Sequence, residues 1–109
     1  MILNSKIIGN NKKVLIILHG LFGSLDNWFS IAKEFSLYYQ VHILDLRNHG
    51  KSFHDKNHSY ELMSDDLYNY INYHKIKEPI ILGHSMGGKT AMVFSVSYTH
   101  LRAHETFAN

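Results

Sequence analysis

The chain has 109 residues, of which 45% are hydrophobic and 18% are charged, so it is long enough for one small globular domain. Its formal net charge is only +2 and its lysines are scattered, which argues against a nucleic-acid partner. It contains no cysteine, which excludes a disulfide framework and a thiolate zinc site.

The amino terminus and the longest apolar run bear on targeting. The opening stretch, MILNSKIIGNNKK, lacks the apolar core and the small-residue cleavage site of a secretory signal. The longest aliphatic run, Val14 to Leu18, is far too short to span a bilayer. We therefore expect a cytoplasmic protein that acts without a cofactor and without a membrane.

The first half of the chain predicts two strands and a helix. Its isoleucine-rich start predicts an edge strand over Ile2 to Ile8, followed by a polar turn. Lys13 to Leu18 is almost continuously aliphatic, which is typical of a strand buried on both faces of a parallel sheet. After a glycine-rich loop, Asp26 is the predicted N-cap, and the apolar spacing predicts a helix over Asn27 to Leu37.

The second half continues this alternation. Val41 to Leu44 predicts a third strand, and a polar loop separates it from a helix over Tyr60 to His74 that Ser59 can cap. A short apolar stretch that begins at Pro79 predicts a fourth strand, and a further helix is predicted to begin at Met86. Strands and helices that alternate in this way indicate right-handed βαβ units. The predicted fold class is therefore α/β, a mostly parallel sheet with helices on both faces.

The stretch PIILGHSMGG, from Pro79 to Gly88, contains the most informative motif. Its pentapeptide GHSMG is a G-x-S-x-G nucleophile elbow, with a predicted strand before it and a predicted helix after it. Gly83 and Gly87 leave room for that strand and helix to approach each other closely. The bend presents the Ser85 hydroxyl at the start of a helix, where backbone N–H groups favour negative charge.

Three stretches follow successive predicted strands in this order: HGLFGSLDNW, DLRNHGKS and GHSMGGK. Together they resemble the α/β-hydrolase superfamily, in particular its small bacterial esterases that act on short acyl esters and acyl thioesters. The resemblance covers Val14 to Met92 and implies the amino-terminal part of that fold, truncated after the elbow. It also implies that Ser85 is the nucleophile of an acyl-enzyme mechanism.

The resemblance implies roles for the residues around the nucleophile. The backbone N–H groups of Met86 and Leu21 are the expected oxyanion-hole donors, with Phe22 as the alternative to Leu21. His19 is interpreted as structural, because the family's catalytic histidine follows the nucleophile in the chain. The positions that shape the oxyanion loop and the elbow are His19, Gly20, Gly83 and Gly87.

Other residues near these motifs have more than one interpretation. The Phe22 side chain can wall the acyl pocket, and His49 either orders its own loop or borders the substrate. Asp45 and Arg47 are interpreted as structural residues of the loop beside the active site. His84 is expected to pack near the elbow.

Two members of the expected catalytic triad are missing. The family needs an acid and then a histidine after the serine, and both normally lie well beyond the elbow. His104 and Glu105 follow Ser85 but stand in the wrong order and too close together. The parent protein is expected to hydrolyse small-molecule esters or thioesters, whereas this chain alone is expected to be inactive. The alternatives are a non-catalytic binding or scaffold protein on the same fold, and a C–C bond or lactone hydrolase.

The carboxy-terminal residues have an unusual sequence. The stretch VSYTHLRAHET, within about Ser95 to Thr106, back-translates to DNA that resembles the end of a transposase adapter used in preparing sequencing libraries. We therefore predict hydrolase-type sequence over residues 1–94 and a non-native tail over residues 95–109. His100 and His104 have the i, i+4 spacing of metal ligands, but their place in this tail argues against a metal site. Truncation here is expected to leave the strand at Pro79 as an open sheet edge.

Overall fold

The computed structural model describes residues 1–99 and 105–109. In chain order, the strands in this part of the chain are β1 (Ser5–Ile8), β2 (Val14–Leu18), β3 (Gln40–Leu44), β4 (Ile80–Gly83) and β5 (Glu105–Ala108). The α-helices are α1 (Phe29–Phe35), α2 (Tyr60–Tyr73) and α3 (Met86–Ser97), and a short 3₁₀ helix (Leu25–Trp28) directly precedes α1. The predicted α/β class is therefore confirmed.

The strands form one sheet in the order β1-β3-β2-β4-β5. β2 pairs in parallel with both β3 and β4, whereas β1 is antiparallel to β3. The register places Leu18 opposite Leu44 on one side and opposite Gly83 on the other. Because these three residues end their strands at the same edge of the sheet, the loops that follow β2, β3 and β4 meet there.

The central strand β2 is buried on both faces, as its continuous aliphatic run predicts. Ile16 and Leu18 pack in a cluster with residues of α2 and α3, whereas Leu15 and Ile17 pack in a second cluster that includes Ala32 of α1. These four side chains of β2 are at most 4% exposed, and only Val14, the first residue of the strand, is half-buried. Full burial of such a side chain contributes about 1.5–3 kcal/mol, so β2 anchors the sheet between its two helical layers.

The first strand and the first helix begin at other residues than predicted. β1 begins at Ser5 and not at Ile2, because the Asn4 N–H donates to Ser52 Oγ at 2.8 Å and the Asn4 carbonyl accepts from the Asp45 N–H. The 3₁₀ helix has Ser24 as its N-cap, so the prediction of Asp26 is wrong. Ser24 and the Asn27 side chain bond to each other's backbone as a capping box, which fixes this start.

The expectation of an open edge at β4 is wrong for the residues that the structure describes. β5 pairs with β4 in parallel, from Glu105 opposite Ile80 to Ala108 opposite Gly83. The boundary predicted after residue 94 falls within α3, and the non-native character of the tail stays a prediction. The His100 and His104 pair lies outside the described residues. Within ranges 1–99 and 105–109, no helix combines the length and the apolar content needed to cross a membrane.

Candidate active site

Ser85 lies at a sharp bend between β4 and α3. Its backbone has φ 55° and ψ −116°, a left-handed conformation that residues other than glycine rarely adopt. Such a conformation costs about 1–3 kcal/mol and has to be stabilised by the surrounding structure. The side chain is exposed and makes no hydrogen bond to any residue in the described ranges. The fold therefore presents a free hydroxyl in front of the amino terminus of α3.

Glycines make the bend at Ser85 possible by allowing backbone segments to touch. A Cβ atom on Gly83 would lie 2.3 Å from the Gly87 carbonyl oxygen, so the two ends of the elbow are in direct contact. A Cβ atom on Gly87 would lie 2.3 Å from the Leu18 carbonyl oxygen, which means that α3 rests on the end of β2. Any side chain at either glycine would push α3 away from the sheet.

The loop after β2 makes a tight turn beside Ser85. The Gly23 N–H donates to the Gly20 carbonyl at 3.0 Å, and Phe22 is the one residue of this turn with a positive φ, 63°. This combination is the pattern of a type II turn, in which glycine normally takes the third position. A Cβ atom on Gly20 would lie 3.3 Å from Ser85 Cβ. A side chain at Gly20 would therefore press against the elbow, so the turn and the elbow lie close together.

The backbone donors near Ser85 differ in whether they are already engaged. The N–H groups of Leu21 and Met86 have no hydrogen-bond acceptor among the residues that the structure describes. The Phe22 N–H, in contrast, donates to His49 Nε2 at 3.1 Å. Leu21 and Met86 are thus the candidates with a free N–H, whereas Phe22 is occupied. The Phe22 ring is 91% exposed and stands away from the core.

Two clefts meet at Leu21 and Ser85. The larger one, about 570 Å³, extends to the start of α2 and is lined by Tyr60, Met63 and Lys89 among others. The smaller one, about 370 Å³, extends toward α1 and is lined by Trp28, Ile31 and His84 among others. His84 packs near the elbow, with its ring centroid 5.9 Å from that of Trp28. A molecule bound across the bend would therefore contact both clefts.

His19 holds the beginning of the loop that follows β2, residues 19–24. Its Nε2 accepts the Leu46 N–H at 3.0 Å, so Nδ1 bears the proton and donates to the Gly20 carbonyl at 2.7 Å. Burial is the main cause that lowers the pKa of His19 below its ordinary value. Both ring nitrogens are engaged in a buried, neutral imidazole. His19 is thus positioned as a structural group and not as a base for Ser85.

Asp45, the residue directly after β3, joins three segments of the chain. Its Oδ1 accepts the Leu25 N–H at 2.8 Å, and its Oδ2 accepts from the Asn4 side chain and the Lys51 N–H, both at 2.9 Å. Burial acts to raise the pKa of Asp45, but these hydrogen bonds outweigh it and lower that pKa overall. Gly50, with φ 52°, packs directly on the carboxylate. Asp45 is therefore a charged link between β1, the 3₁₀ helix and its own loop.

Arg47 fixes the rest of that loop onto α2. Its Nε and Nη2 donate to the two carboxylate oxygens of Asp66 at 2.6 and 3.0 Å, and its Nη1 donates to the Asn57 carbonyl at 2.8 Å. Both side chains of this ion pair are less than a tenth exposed. The hydrogen bond to Asp66 is the main cause that raises the pKa of Arg47. Asp66 was not singled out in the sequence, because its partner lies 19 residues away.

The part of the chain that the structure describes gives the Ser85 hydroxyl no acid or base partner. No imidazole or carboxylate in ranges 1–99 and 105–109 is hydrogen-bonded to the Ser85 hydroxyl. Glu105 begins β5 opposite Ile80, at the end of β4 that lies away from the elbow. The same ranges contain no cluster of three or more potential metal ligands. The described residues therefore bring together an exposed serine hydroxyl and two backbone N–H groups without an acceptor, those of Leu21 and Met86.

Comparison with known proteins agrees with this arrangement. A sequence model described as alpha/beta hydrolase fold matches residues 13–102. The chain belongs to the α/β-hydrolase family. The chain is 50% identical over 82 residues to a Haemophilus influenzae protein named as an esterase/lipase, a match that covers 75% of the chain and 29% of the relative. It is 48% identical over 90 residues to a Saccharomyces cerevisiae protein named as an alcohol acetyltransferase, with coverage of 78% and 26%.

Solved structures give the same result. The chain superposes on a marine microorganism esterase with a TM-score of 0.88 and 48% sequence identity, over 90% of this chain and 38% of the esterase. The resemblance stated from the three sequence motifs is thereby confirmed. The chain spans less than a third of the length of the two curated relatives that it matches.

Proposed function

We propose that the protein containing this chain hydrolyses carboxylic esters through an acyl-enzyme intermediate on Ser85. The observation that supports this most directly is the exposed Ser85 hydroxyl at a strained bend, flanked by the free N–H groups of Leu21 and Met86. A hydroxyl held in this way can attack an ester carbonyl, and amide donors nearby can stabilise the oxyanion that forms. The general base in this proposal is a histidine from the part of the family fold that follows the elbow.

The proposed reaction has two halves. Ser85 Oγ attacks the carbonyl carbon while the base takes its proton, and the C–O bond to the alcohol breaks as the base returns a proton to that oxygen. Water then attacks the acyl-enzyme by the same route and releases the acid. The Leu21 and Met86 amides receive the oxyanion in both halves, and the loss of one such donor typically costs about 3 kcal/mol.

The two clefts support a division of the substrate at Ser85. The larger cleft, of about 570 Å³, has an apolar side formed by Leu21, Met63 and Met86, which suits a short acyl chain. The smaller cleft, of about 370 Å³, leads past the Trp28 ring and suits the departing alcohol or thiol. Thioesters fit the same scheme, because only the leaving atom changes.

Fluorophosphonate labelling of the full-length protein tests the proposal. The probe should label the wild type, and the Ser85→Ala variant should lose both the label and the hydrolysis of p-nitrophenyl acetate and butyrate. Ser30→Ala is the matched control, because Ser30 is an exposed serine on α1 and should keep both activities. Folded protein that hydrolyses neither ester, or a Ser85→Ala variant that labels like the wild type, would contradict the proposal. A folded protein without turnover would favour the binding or scaffold alternative.

A second candidate is acyl transfer to an alcohol, which the likeness to the protein named as an alcohol acetyltransferase favours. Both functions share the acyl-enzyme on Ser85 and differ in whether water or an alcohol attacks it. Product analysis in the presence of ethanol separates them. Ethyl acetate as the main product would favour transfer, and acetate would favour hydrolysis. A lactone or C–C bond hydrolase would instead turn over a lactone or a β-diketone in preference to these esters.

A further inference from the structure

His49 bonds to two backbone groups whose chemistry defines its protonation state. Its Nδ1 lies 2.8 Å from the Arg47 carbonyl oxygen, and its Nε2 accepts the Phe22 N–H at 3.1 Å. A carbonyl can only accept, so Nδ1 must bear the proton, and Nε2 must present its lone pair to Phe22. His49 is only 8% exposed. The ring is thus a buried neutral imidazole that connects the loop after β3 to the loop after β2.

His49 contacts the peptide whose orientation determines the turn type of residues 20–23. Type I and type II turns differ by a rotation of the central peptide, here Leu21–Phe22, and only the type II form gives a positive φ at the third residue. Phe22 has φ 63°, an unfavourable value for an aromatic residue. A rotation of this peptide would relieve Phe22 but would turn its N–H away from His49. The hydrogen bond to His49 therefore opposes the relaxation that Phe22 would otherwise favour.

A second histidine holds the other side of the same turn. His19 Nδ1 donates to the Gly20 carbonyl, and the His19 and His49 ring centroids are 5.1 Å apart. Leu21 thus lies between a residue whose carbonyl is bound by His19 and a residue whose N–H is bound by His49. The Leu21 N–H itself has no acceptor in the described part of the chain.

We propose that His49 is a positioning residue for the oxyanion hole, which acts by accepting the Phe22 N–H and so holding the Leu21 amide beside Ser85. This inference rests on the proposed function of Ser85. Both ring nitrogens of His49 are hydrogen-bonded to the backbone, so His49 affects the reaction by fixing the conformation of the turn and not by contacting the substrate. The group it positions is a main-chain amide, so the effect appears in the stabilisation of the transition state more than in substrate binding.

Two amide variants separate the hydrogen bond from the bulk of the ring. In His49→Gln, the side-chain oxygen can reach the place of Nε2 and accept the Phe22 N–H. In His49→Asn, the shorter side chain can replace only Nδ1, so Phe22 loses its acceptor. We expect His49→Asn to lower kcat by about 10- to 100-fold with little change in KM, since a small misplacement of a catalytic group has effects of this size. His49→Gln should restore most of that loss.

The activity of the full-length wild type, His49→Gln and His49→Asn proteins on p-nitrophenyl acetate should be combined with two NMR measurements. The Phe22 amide proton should exchange slowly in the wild type and His49→Gln, and faster in His49→Asn. Nitrogen shifts of the wild-type ring should report a protonated Nδ1 and an unprotonated Nε2, which is a measurement that no folding defect of a variant affects.

These readouts distinguish failure of the inference from failure of the proposed function. Equal kcat values and equal Phe22 exchange in the two variants, or a protonated Nε2 in the wild type, would overturn the role of His49. A wild type without esterase activity that still shows the predicted tautomer and Phe22 exchange would overturn the proposed function and support the contact on which the role of His49 depends.

Discussion

Asp45 joins three separate segments beside the candidate site, and the Asp45→Asn substitution tests that link without changing the size of the side chain. Oδ1 accepts one hydrogen bond, from the Leu25 N–H, and Oδ2 accepts two, from Asn4 and the Lys51 N–H. An asparagine has one oxygen and one NH₂ group, so it cannot accept on both sides. The favoured orientation of the new side chain keeps its amide oxygen toward Asn4 and Lys51. Its NH₂ group then faces the buried Leu25 N–H, so two donors meet and neither has an acceptor.

The size of the effect follows from these three contacts. An unsatisfied buried N–H costs about 1–3 kcal/mol, and each of the other two hydrogen bonds loses roughly 0.5–1 kcal/mol when its acceptor is no longer charged. The sum is a loss of about 3 kcal/mol in the free energy of unfolding near pH 7. The pKa of Asp45 is lowered on folding, so this advantage of the wild type is present above the ordinary value of 3.8 and is lost as pH falls below it.

Urea denaturation followed by far-ultraviolet circular dichroism measures this loss. Asp26→Asn is the control, because Asp26 is exposed and lies in the 3₁₀ helix whose Leu25 N–H binds Asp45. Its free energy of unfolding should change by no more than about 0.5 kcal/mol. A loss of less than about 1 kcal/mol in Asp45→Asn, or one equal to that of the control, would refute the role of Asp45 as a link between segments.

Three further predictions concern the sheet, the elbow and the loop after β3. Burial lowers the pKa of His42 to about 4, so below pH 6.5 the unfolded chain binds a proton that the folded protein does not. The free energy of unfolding should therefore fall by roughly 3 kcal/mol between pH 6.5 and pH 4. Urea titrations at different pH values should find this loss in the wild type and not in His42→Leu. Gly87→Ala places a Cβ atom 2.3 Å from the Leu18 carbonyl oxygen and should cost about 3 kcal/mol or more in thermal unfolding. Arg47→Met should cost about 3–5 kcal/mol, and adding Asp66→Leu should recover most of this in a double-mutant cycle; a stable single variant would contradict the ion pair's role.

The central strands could be predicted from the sequence because burial on both faces leaves a local signal. Val14 to Leu18 is an aliphatic run and Val41 to Leu44 is aliphatic except for His42. The structure starts β2 and β3 within one residue of the predicted positions. The edge strand had no such signal. Leu3 is 3% exposed and its side chain is compatible with a strand. The backbone of Asn4, however, bonds to Asp45 and Ser52, more than 40 positions away, which a local pattern cannot reveal.

The candidate site divides in the same way. The Ser85 bend follows from a short motif, because the strand, the glycines and the helix start that it requires are consecutive in the chain. The contacts that hold the oxyanion loop are not consecutive: His19 bonds to the Leu46 N–H, and His49 bonds to the Phe22 N–H, each 27 residues away. The sequence left the role of His49 open between loop ordering and substrate contact, and only the pairing of loops from neighbouring strands distinguishes the two.

The groups that receive the oxyanion and the groups that transfer the proton therefore come from different parts of the family's sequence. The bend at Ser85 and the free amides of Leu21 and Met86 depend on glycine contacts and on hydrogen bonds within the loops of β2, β3 and β4. The acid and the histidine of the family follow the elbow in the chain. A change at His49 should thus lower kcat at every pH, because it alters where the oxyanion is received. A change in the later acid should shift the pH profile, because it alters how the proton moves.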